Sequence, residues 1–489
     1  MVVSPSSEDV VPVKISTGLP DPKSAMNVIL IISDTLRPDY LGCYGNAWIR
    51  TPHIDALAED SCLFTNFYAA SFPTGPMRRD LHSGTFTFPY TSWKDEWKPS
   101  HMVLAELMSA SGYLTAMVTD TPANQQHRAG FAHFEMIPGQ AGEGVDLAPG
   151  ETMELPANPR KLRTPVERLY RILKVQSGWK GEEDRFAAQT MRAAARWLEG
   201  THGHDRPFFL CVDTFDPHEP WNPPRYYIDR YDPGYEGDEL FEPAYEHAGY
   251  ATDSEIRHMR FMYAGEVSMV DRWVGYLLET VEAMGLVDDT AIVLTSDHGF
   301  YHGEHGLIGK VQLDRDGRIV LRWPLYRTIS QAPLLVKVPG CNEGKVEVFA
   351  QPPDLMPTIL DIAGIGIPPY VQGRSLLAEI GGEPTNAPDL AVSSYTYRQD
   401  DEVRCPTSLR SADFLYVYGG DEWGSGYYDL TQDPDESRNL LKERQADALH
   451  AHGLLVSFLR RIGCPGQILR MRSRFNLRPR KRLPPTRIL

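Results

Sequence analysis

The chain has 489 residues, of which 42% are hydrophobic and 10% aromatic; this excludes wholesale disorder and predicts a large domain with a smaller one beside it. The net charge of -16 is uneven: His450 to Leu489 holds ten Lys or Arg and no acid, so the remainder carries 39 basic against 65 acidic residues. An acidic body of this kind argues against general nucleic-acid binding, and no apolar run is long enough to cross a bilayer.

The six cysteines, at 43, 62, 211, 341, 405 and 464, show no C-x-x-C spacing, so neither a disulfide framework nor a thiolate metal site is expected. Met1 to Asp9 lacks the basic flank and apolar core of a signal peptide, and a cytoplasmic soluble protein is expected. The basic cluster Arg478-Pro479-Arg480-Lys481-Arg482 suits a membrane surface, RNA or the acidic body of a second subunit. It suits equally well a solvated tail on the protein's own acidic surface, and a homo-oligomer stays open.

In chain order, residues 1–25 are a Pro/Ser-rich lead, and Asn27 to Ser33 (NVILIIS) is a continuous apolar run, the mark of a strand buried on both faces. Asp34 follows it directly. A helix is predicted from Thr51-Pro52, another just after Thr74, a third from Ser100, and a strand over Tyr113 to Thr119. Residues 138–183 are rich in Gly, Pro and charge and read as an insertion or lid with a short helix near Val166 to Leu173. A helix over about Glu183 to Glu199 leads to a strand over Pro207 to Phe215, and 222–251 is loop-like and dense in Tyr. Thr252 and Glu255 have capping-box spacing ahead of a long helix, which delivers the chain to a strand over Thr290 to Ser296 and then Asp297-His298-Gly299. Asp314 to Gly317 is a hairpin tip, and Pro333 to Pro339 is the last strand of the series.

Strands alternating with helices imply an α/β fold, a mostly parallel sheet flanked by helices, with ligands beyond the carboxyl ends of the strands. From about Ala391 short alternating runs and a final helix predict a small antiparallel C-terminal sheet. The organisation expected is a lead (1–25), a catalytic domain (26–385, insertion 138–183), a C-terminal subdomain (386–465) and a basic tail (466–489).

The Ser71 to Gly84 stretch places the Thr74 hydroxyl at a helix start marked by Pro76, with Arg78 one turn in. Unpaired N–H groups, the helix dipole and a guanidinium suit a nucleophile that must meet an anion, although Thr74 would serve as a plain N-cap too. Asp34, Asp297 and His298 offer two carboxylates and an imidazole, a set suited to Ca²⁺, Mn²⁺ or Zn²⁺. With Thr74 as a further ligand, the metal would lower the hydroxyl pKa and yield an alkoxide. Taken singly, each acid is equally an Asx turn or a helix cap.

These residues carry a family resemblance. Asn27 to Gly45 (NVILIISDTLRPDYLGCYG), Thr74 to Gly84, Asp216-Pro217-His218-Glu219-Pro220, Ser296-Asp297-His298-Gly299, Gly303-Glu304-His305-Gly306, Lys310 and Asp361-Ile362-Ala363-Gly364 resemble the sulfatase family of the alkaline-phosphatase superfamily. The resemblance runs to Tyr428-Asp429-Leu430 with Asp433-Pro434 and Asn439-Leu440. It implies one divalent metal on Asp34, Asp297 and His298, a nucleophile at Thr74, Arg78 as the motif arginine, and His218 and Lys310 binding the substrate anion or protonating the leaving group. His305 matches a family position as well.

Two departures stand out. The family motif is Cys or Ser, x, Pro, x, Arg, with its first residue oxidised to formylglycine, whereas here the frame reads Thr74-Gly75-Pro76-Met77-Arg78. A formylglycine diol expels sulfate by collapsing to the aldehyde, but a threonine ester must be hydrolysed at its central atom, which favours phosphorus over sulfur. The usual Gly-Lys-x-His reads Thr119-Asp120-Thr121-Pro122, placing Asp120 where a cation is expected in the anion pocket, with His127 or Arg128 to compensate. A second metal would draw on Asp213, Asp216, His218, His302 and His305 and is not expected; loop hydrogen bonding accounts for His302 and His305. The reading is a metal-dependent hydrolase of phosphate or phosphonate esters acting on a small anionic substrate. Its rivals are a sulfatase using unmodified Thr74, a phosphotransferase and a non-catalytic binding protein. The tyrosines at 226, 227 and 231 and the 138–183 insertion are candidate pocket walls.

Overall fold

Along Asn27–Ser33, Val28, Leu30 and Ile32 pack into one apolar cluster and Ile29 and Ile31 into another, all with no exposure, so this strand needs cover on both faces. Each such side chain contributes about 1.5–3 kcal/mol on burial. In the computed structural model, which describes residues 26–93, 95–383, 385, 387–397, 405–419 and 424–475, that strand lies inside an eight-stranded sheet. The 1–25 lead and the 478–482 basic cluster lie outside the described residues.

Across the sheet the order is Gly344–Ala350, Cys62–Phe67, Leu334–Lys337, Thr290–Thr295, Asn27–Ser33, Phe208–Thr214, Leu114–Thr119, His133–Met136. The predicted strands are present. Leu334–Lys337 runs antiparallel to both of its neighbours, and the other pairings are parallel, so the sheet is mostly parallel but mixed. Cys62–Phe67, His133–Met136 and Gly344–Ala350 were not anticipated. Polar residues interrupt the first, and the other two are sheet edges whose side chains are largely half-buried or exposed, so none shows a continuous apolar run.

One face is covered by helices Phe186–Thr201 and Asp253–Ala283, the other by Thr74–Ser83, Leu104–Ala110 and Leu355–Ile362. The long helix begins as its spacing predicts: the Glu255 N–H donates to Thr252 Oγ1 at 3.2 Å and the Thr252 N–H to Glu255 Oε2 at 2.9 Å. The third helix starts at Leu104 rather than Ser100, because the Val103 N–H donates to Glu106 and ends the extended approach there. Inside the 138–183 insertion a helix spans Val166–Gln176.

The C-terminal sheet has the order Gly426–Asp429, Phe414–Tyr418, Thr407–Ser411, Leu390–Tyr395, Ser71–Phe72. Its last member comes from the chain just ahead of Thr74 and pairs in parallel with Leu390–Tyr395. A helix over Gly466–Arg472 continues into the segment assigned to the basic tail. Its Arg472 is fully buried, with Nη1 donating to Thr407 Oγ1 at 2.9 Å and the guanidinium 4.2 Å from the Tyr397 ring.

Candidate active site

Three adjacent central strands end at one edge, and the chain leaving two of them supplies Asp34 and Asp297-His298. All three side chains are fully buried, and one ligand atom from each lies within 4.8 Å of the others. Gly299 is required behind His298, since a Cβ there would come 2.1 Å from the Thr328 carbonyl oxygen. Thr35, unremarked in the sequence, locks the two acids together: its N–H donates to Asp297 Oδ1 at 2.8 Å and its hydroxyl to Asp34 Oδ1 at 2.7 Å. It does so at a φ of 64°, a costly conformation for a β-branched residue, and Tyr263 on the long helix steadies it by donating to its carbonyl at 2.8 Å.

Thr74 is the first residue of its helix, not the cap; Pro73 takes that place. The segment before it is held twice, by the second sheet and by Asp80, which accepts from the Ser71 N–H and hydroxyl, both at 2.8 Å. Thr74 Oγ1 therefore stands 3.3 Å from His298 Nε2. Beneath it Arg78, fully buried, gives a two-pronged contact to Asp213 (2.7 Å each), donates to Asp297 Oδ2 at 2.9 Å and to the Thr74 carbonyl at 3.1 Å, and lies 3.3 Å from Asp34. Asp213, at the carboxyl end of its strand as expected and a candidate ligand for a second metal, instead anchors the Arg78 guanidinium.

Burial raises the Asp34 carboxyl well above its usual range and the nearby Asp297 charge raises it further. Burial also acts on Asp297, but His298 and Arg78 outweigh it and hold that carboxyl below its usual range. Burial drives His298 down to about 3 against the pull of Asp297, so its ring is neutral at physiological pH. The ring Nδ1 lies 2.9 Å from the Gly299 carbonyl, which makes it the protonated nitrogen and leaves a lone pair on Nε2. Asp34 Oδ2 is buried without a hydrogen-bond partner. A neutral imidazole nitrogen and two buried carboxyl groups whose ligand atoms lie within 4.8 Å of one another, with the Thr74 hydroxyl 3.3 Å from that nitrogen, fit a divalent cation.

In front of Thr74 opens a cavity of about 660 Å³ whose lining includes His218, Lys310, Arg163, Trp93 and Tyr395. Lys310 Nζ is 3.2 Å from Thr35 Oγ1; Gly309 before it has a φ of 112° and no room for a Cβ against the Tyr245 ring. His218 Nδ1 lies 2.8 Å from the Glu219 carbonyl and 3.2 Å from its Oε2, and burial together with Lys310 lowers its pKa well below the usual value. Arg163, from the 138–183 insertion, reaches Glu219 at 2.9 Å, so part of the insertion does line the cavity.

Other expected residues lie elsewhere. Asp120 does not line the cavity; it accepts from Thr190, from the Phe215 N–H and from Gln140, which also donates to Asp216. Burial first and then the Asp216 charge raise its pKa. Its neighbour Thr121 meets the site instead, donating to Asp213 at 2.8 Å. His127 packs 4.8 Å from Trp97 and 5.8 Å from His82, and Arg128 lies 4.7 Å from the Phe134 ring; neither lines the cavity. His305 stacks on Tyr326 at 4.1 Å, again outside the lining. Asp213 is held by Arg78, Asp216 by Gln140 and the Ala187 N–H, and His302 by Arg37, so these do not converge. Tyr227 and Tyr231 border a separate groove with Trp48, and the Tyr226 hydroxyl is bonded to Glu182.

A family model, Sulfatase, matches residues 26–365, and one for the N-sulphoglucosamine sulphohydrolase C-terminal region matches 320–456. The chain belongs to the sulfatase family. It is a hydrolase of phosphoric or sulfuric esters. Its relatives include an ulvan-active sulfatase of Formosa agariphila, 25% identical over 88% of this chain and 80% of the relative. The multifunctional alkaline phosphatase superfamily protein PehA of Trinickia caryophylli is 25% identical over 85% of this chain and 91% of its own. In fold it is similar to the phosphonate monoester hydrolase of Agrobacterium radiobacter, with a TM-score of 0.70, 22% identity and coverage of 89% and 96% of the two chains. No described helix is long and apolar enough to cross a membrane.

Proposed function

We propose that this sulfatase-family hydrolase cleaves phosphate or phosphonate esters through Thr74. The observation that carries the reading is the unmodified hydroxyl of Thr74 at the head of its helix, 3.3 Å from His298 Nε2 and directly above the Arg78 guanidinium. A single divalent ion (Mn, Ca or Zn) held by Asp34, Asp297, His298 and Thr74 supplies, when bound, positive charge to the hydroxyl and the equatorial oxygens.

Thr74 Oγ attacks phosphorus as its proton passes to solvent, and the bond from phosphorus to the leaving oxygen breaks. The leaving oxygen takes a proton from His218 or Lys310. His218 is neutral at rest because burial and Lys310 disfavour its charge; an anion seated between the two offsets both effects and favours the imidazolium. Water then attacks the phosphothreonine at phosphorus and the bond from phosphorus to Thr74 Oγ breaks; one water proton goes to the His218 or Lys310 that protonated the leaving group, and a proton from solvent restores the hydroxyl. The collapse of a formylglycine diol has no counterpart at a threonine, which supports phosphorus over sulfur.

The test is a matched rate comparison of wild type and Thr74→Ala on metal-replete protein, using 4-nitrophenyl phosphate, a phosphodiester, a phosphonate monoester and the sulfate. Thr74-dependent turnover of a phosphorus ester, with a phosphoryl group trapped on the Thr74 peptide, is expected. Dominant sulfate turnover, or full activity in Thr74→Ala, overturns the reading.

A further inference from the structure

Burial first and then Lys310 disfavour charge on the His218 ring, and Arg163 and His298 add to this. A residue that protonates a leaving oxygen from such a place needs a counterweight on the ring edge away from the substrate. Glu219 meets that edge with two atoms: its carbonyl oxygen lies 2.8 Å from His218 Nδ1 and its Oε2 3.2 Å from the same nitrogen. A carbonyl only accepts, so Nδ1 keeps its proton in either charge state and Nε2 is the nitrogen that exchanges one. The Phe215 ring, stacked at 3.9 Å, holds the imidazole plane.

Glu219 is fully buried. Its Oε1 accepts from Arg163 Nη1 at 2.9 Å and from the Tyr245 hydroxyl, whereas Oε2 makes no hydrogen bond among the described residues. A buried carboxylate oxygen left in that state is costly unless positive charge is brought to it. Arg163 does not cancel the acid by itself, because it also faces the buried Glu242 at 3.5 Å, which Arg168 meets as well.

We infer that Glu219 is the positioning residue of the proton donor: its carbonyl fixes the His218 tautomer, and its carboxylate, anchored by Arg163 and Tyr245, stabilises the His218 imidazolium while substrate is bound. This rests on the reading in which the leaving oxygen is protonated from this wall of the cavity, and it selects His218 over Lys310. As the phosphorus–oxygen bond breaks, its electron pair takes the proton from Nε2, the ring returns to neutral, Nδ1–H stays in place and Glu219 gains no proton.

The test is kinetic, on metal-replete wild type, Glu219→Gln, His218→Ala and the double variant, with the 4-nitrophenyl and ethyl esters of phosphate and of phenylphosphonate. Glu219→Gln is expected to lower kcat for an ethyl ester about tenfold and to leave its 4-nitrophenyl counterpart within about twofold. The imidazolium is required, so kcat falls as pH rises through the ring's pKa in the complex; without the carboxylate charge that limb should move down by about one pH unit. In a His218→Ala background the same substitution should change neither ester further. Tyr245→Phe takes a donor from Oε1, leaves more charge facing the ring, and should move the limb up. Equal slowing of both esters by Glu219→Gln, an unmoved limb, or a further loss in the His218→Ala background overturns the inference. Should Glu219→Gln not fold, Tyr245→Phe decides: a limb that stays or falls overturns it. A leaving-group split in His218→Ala without one in Glu219→Gln refutes the Glu219 role alone. No split in His218→Ala, or no turnover of any of the four esters, removes the proton-donor reading and the inference with it.

Discussion

Asp213 holds the Arg78 guanidinium through two 2.7 Å contacts, and neither side chain has any exposed surface. Asp213→Asn keeps the shape but removes the charge and turns an NH₂ group toward one guanidinium N–H. Breaking one partner of a buried ion pair costs about 3–5 kcal/mol, because the surviving charge stays desolvated. Asp297 and Asp34 still face Arg78 at 2.9 and 3.3 Å, which places the expected loss at the lower end, about 3 kcal/mol. At ~2.1 cal/mol/K of unfolding entropy per residue, a cooperative unit of this size shifts by about 1 °C per kcal/mol, so the melting midpoint should drop by about 3 °C. Activity should fall further than stability alone explains, since the guanidinium plane that fixes the Thr74 carbonyl at 3.1 Å is freed. A double-mutant cycle with Arg78→Met by urea unfolding gives the decisive number. The double variant should be less destabilised than the sum of the singles by about 2 kcal/mol or more. Strict additivity, or a single-variant loss below about 0.5 kcal/mol, would refute the claim that Asp213 positions Arg78.

Gly299→Ala should abolish turnover and lower the melting midpoint, because a Cβ 2.1 Å from the Thr328 carbonyl oxygen forces the backbone behind His298 to move; an active, equally stable variant would remove that account. His218→Ala should slow esters with poor alkyl leaving groups by about 10²–10³-fold and 4-nitrophenyl esters much less, a split read from kcat/KM across a leaving-group series. Asp271 caps the Pro52–Glu59 helix from the long helix, its Oδ1 accepting from the Ile54 N–H at 2.8 Å, and burial pushes its carboxyl up to about 7. Since its pKa is higher folded than unfolded, its contribution is fully present below about pH 4 and is lost as pH rises through about 7. Asp271→Asn should therefore flatten the fall of stability over that window, as measured by urea unfolding at a series of pH values; an unchanged slope would show that another group carries it.

The sequence by itself determined the three central strands, the long helix with its Thr252–Glu255 cap, the Thr74 helix and the residues Asp34, Asp297 and His298 that the fold draws together. These are local signals: continuous apolar runs, caps, and acids placed directly after strands. What it misplaced depended on where a side chain turns once the strands are packed. Asp120 stands next to Thr121, yet Thr121 faces Asp213 while Asp120 bonds Thr190 and Gln140, a choice set by the alternation of the strand end and not by residue type. Thr35 and Asp213 hold the site through contacts with residues 262 and 135 positions away, separations that no local pattern encodes. Only the tertiary structure decided that the C-terminal sheet reaches back to Ser71–Phe72, just ahead of Thr74, and that Arg163, Arg318 and Arg322 share one cavity with Thr74. Periodicity reports which face of an element is buried; which distant partner buries it depends on packing across the whole chain.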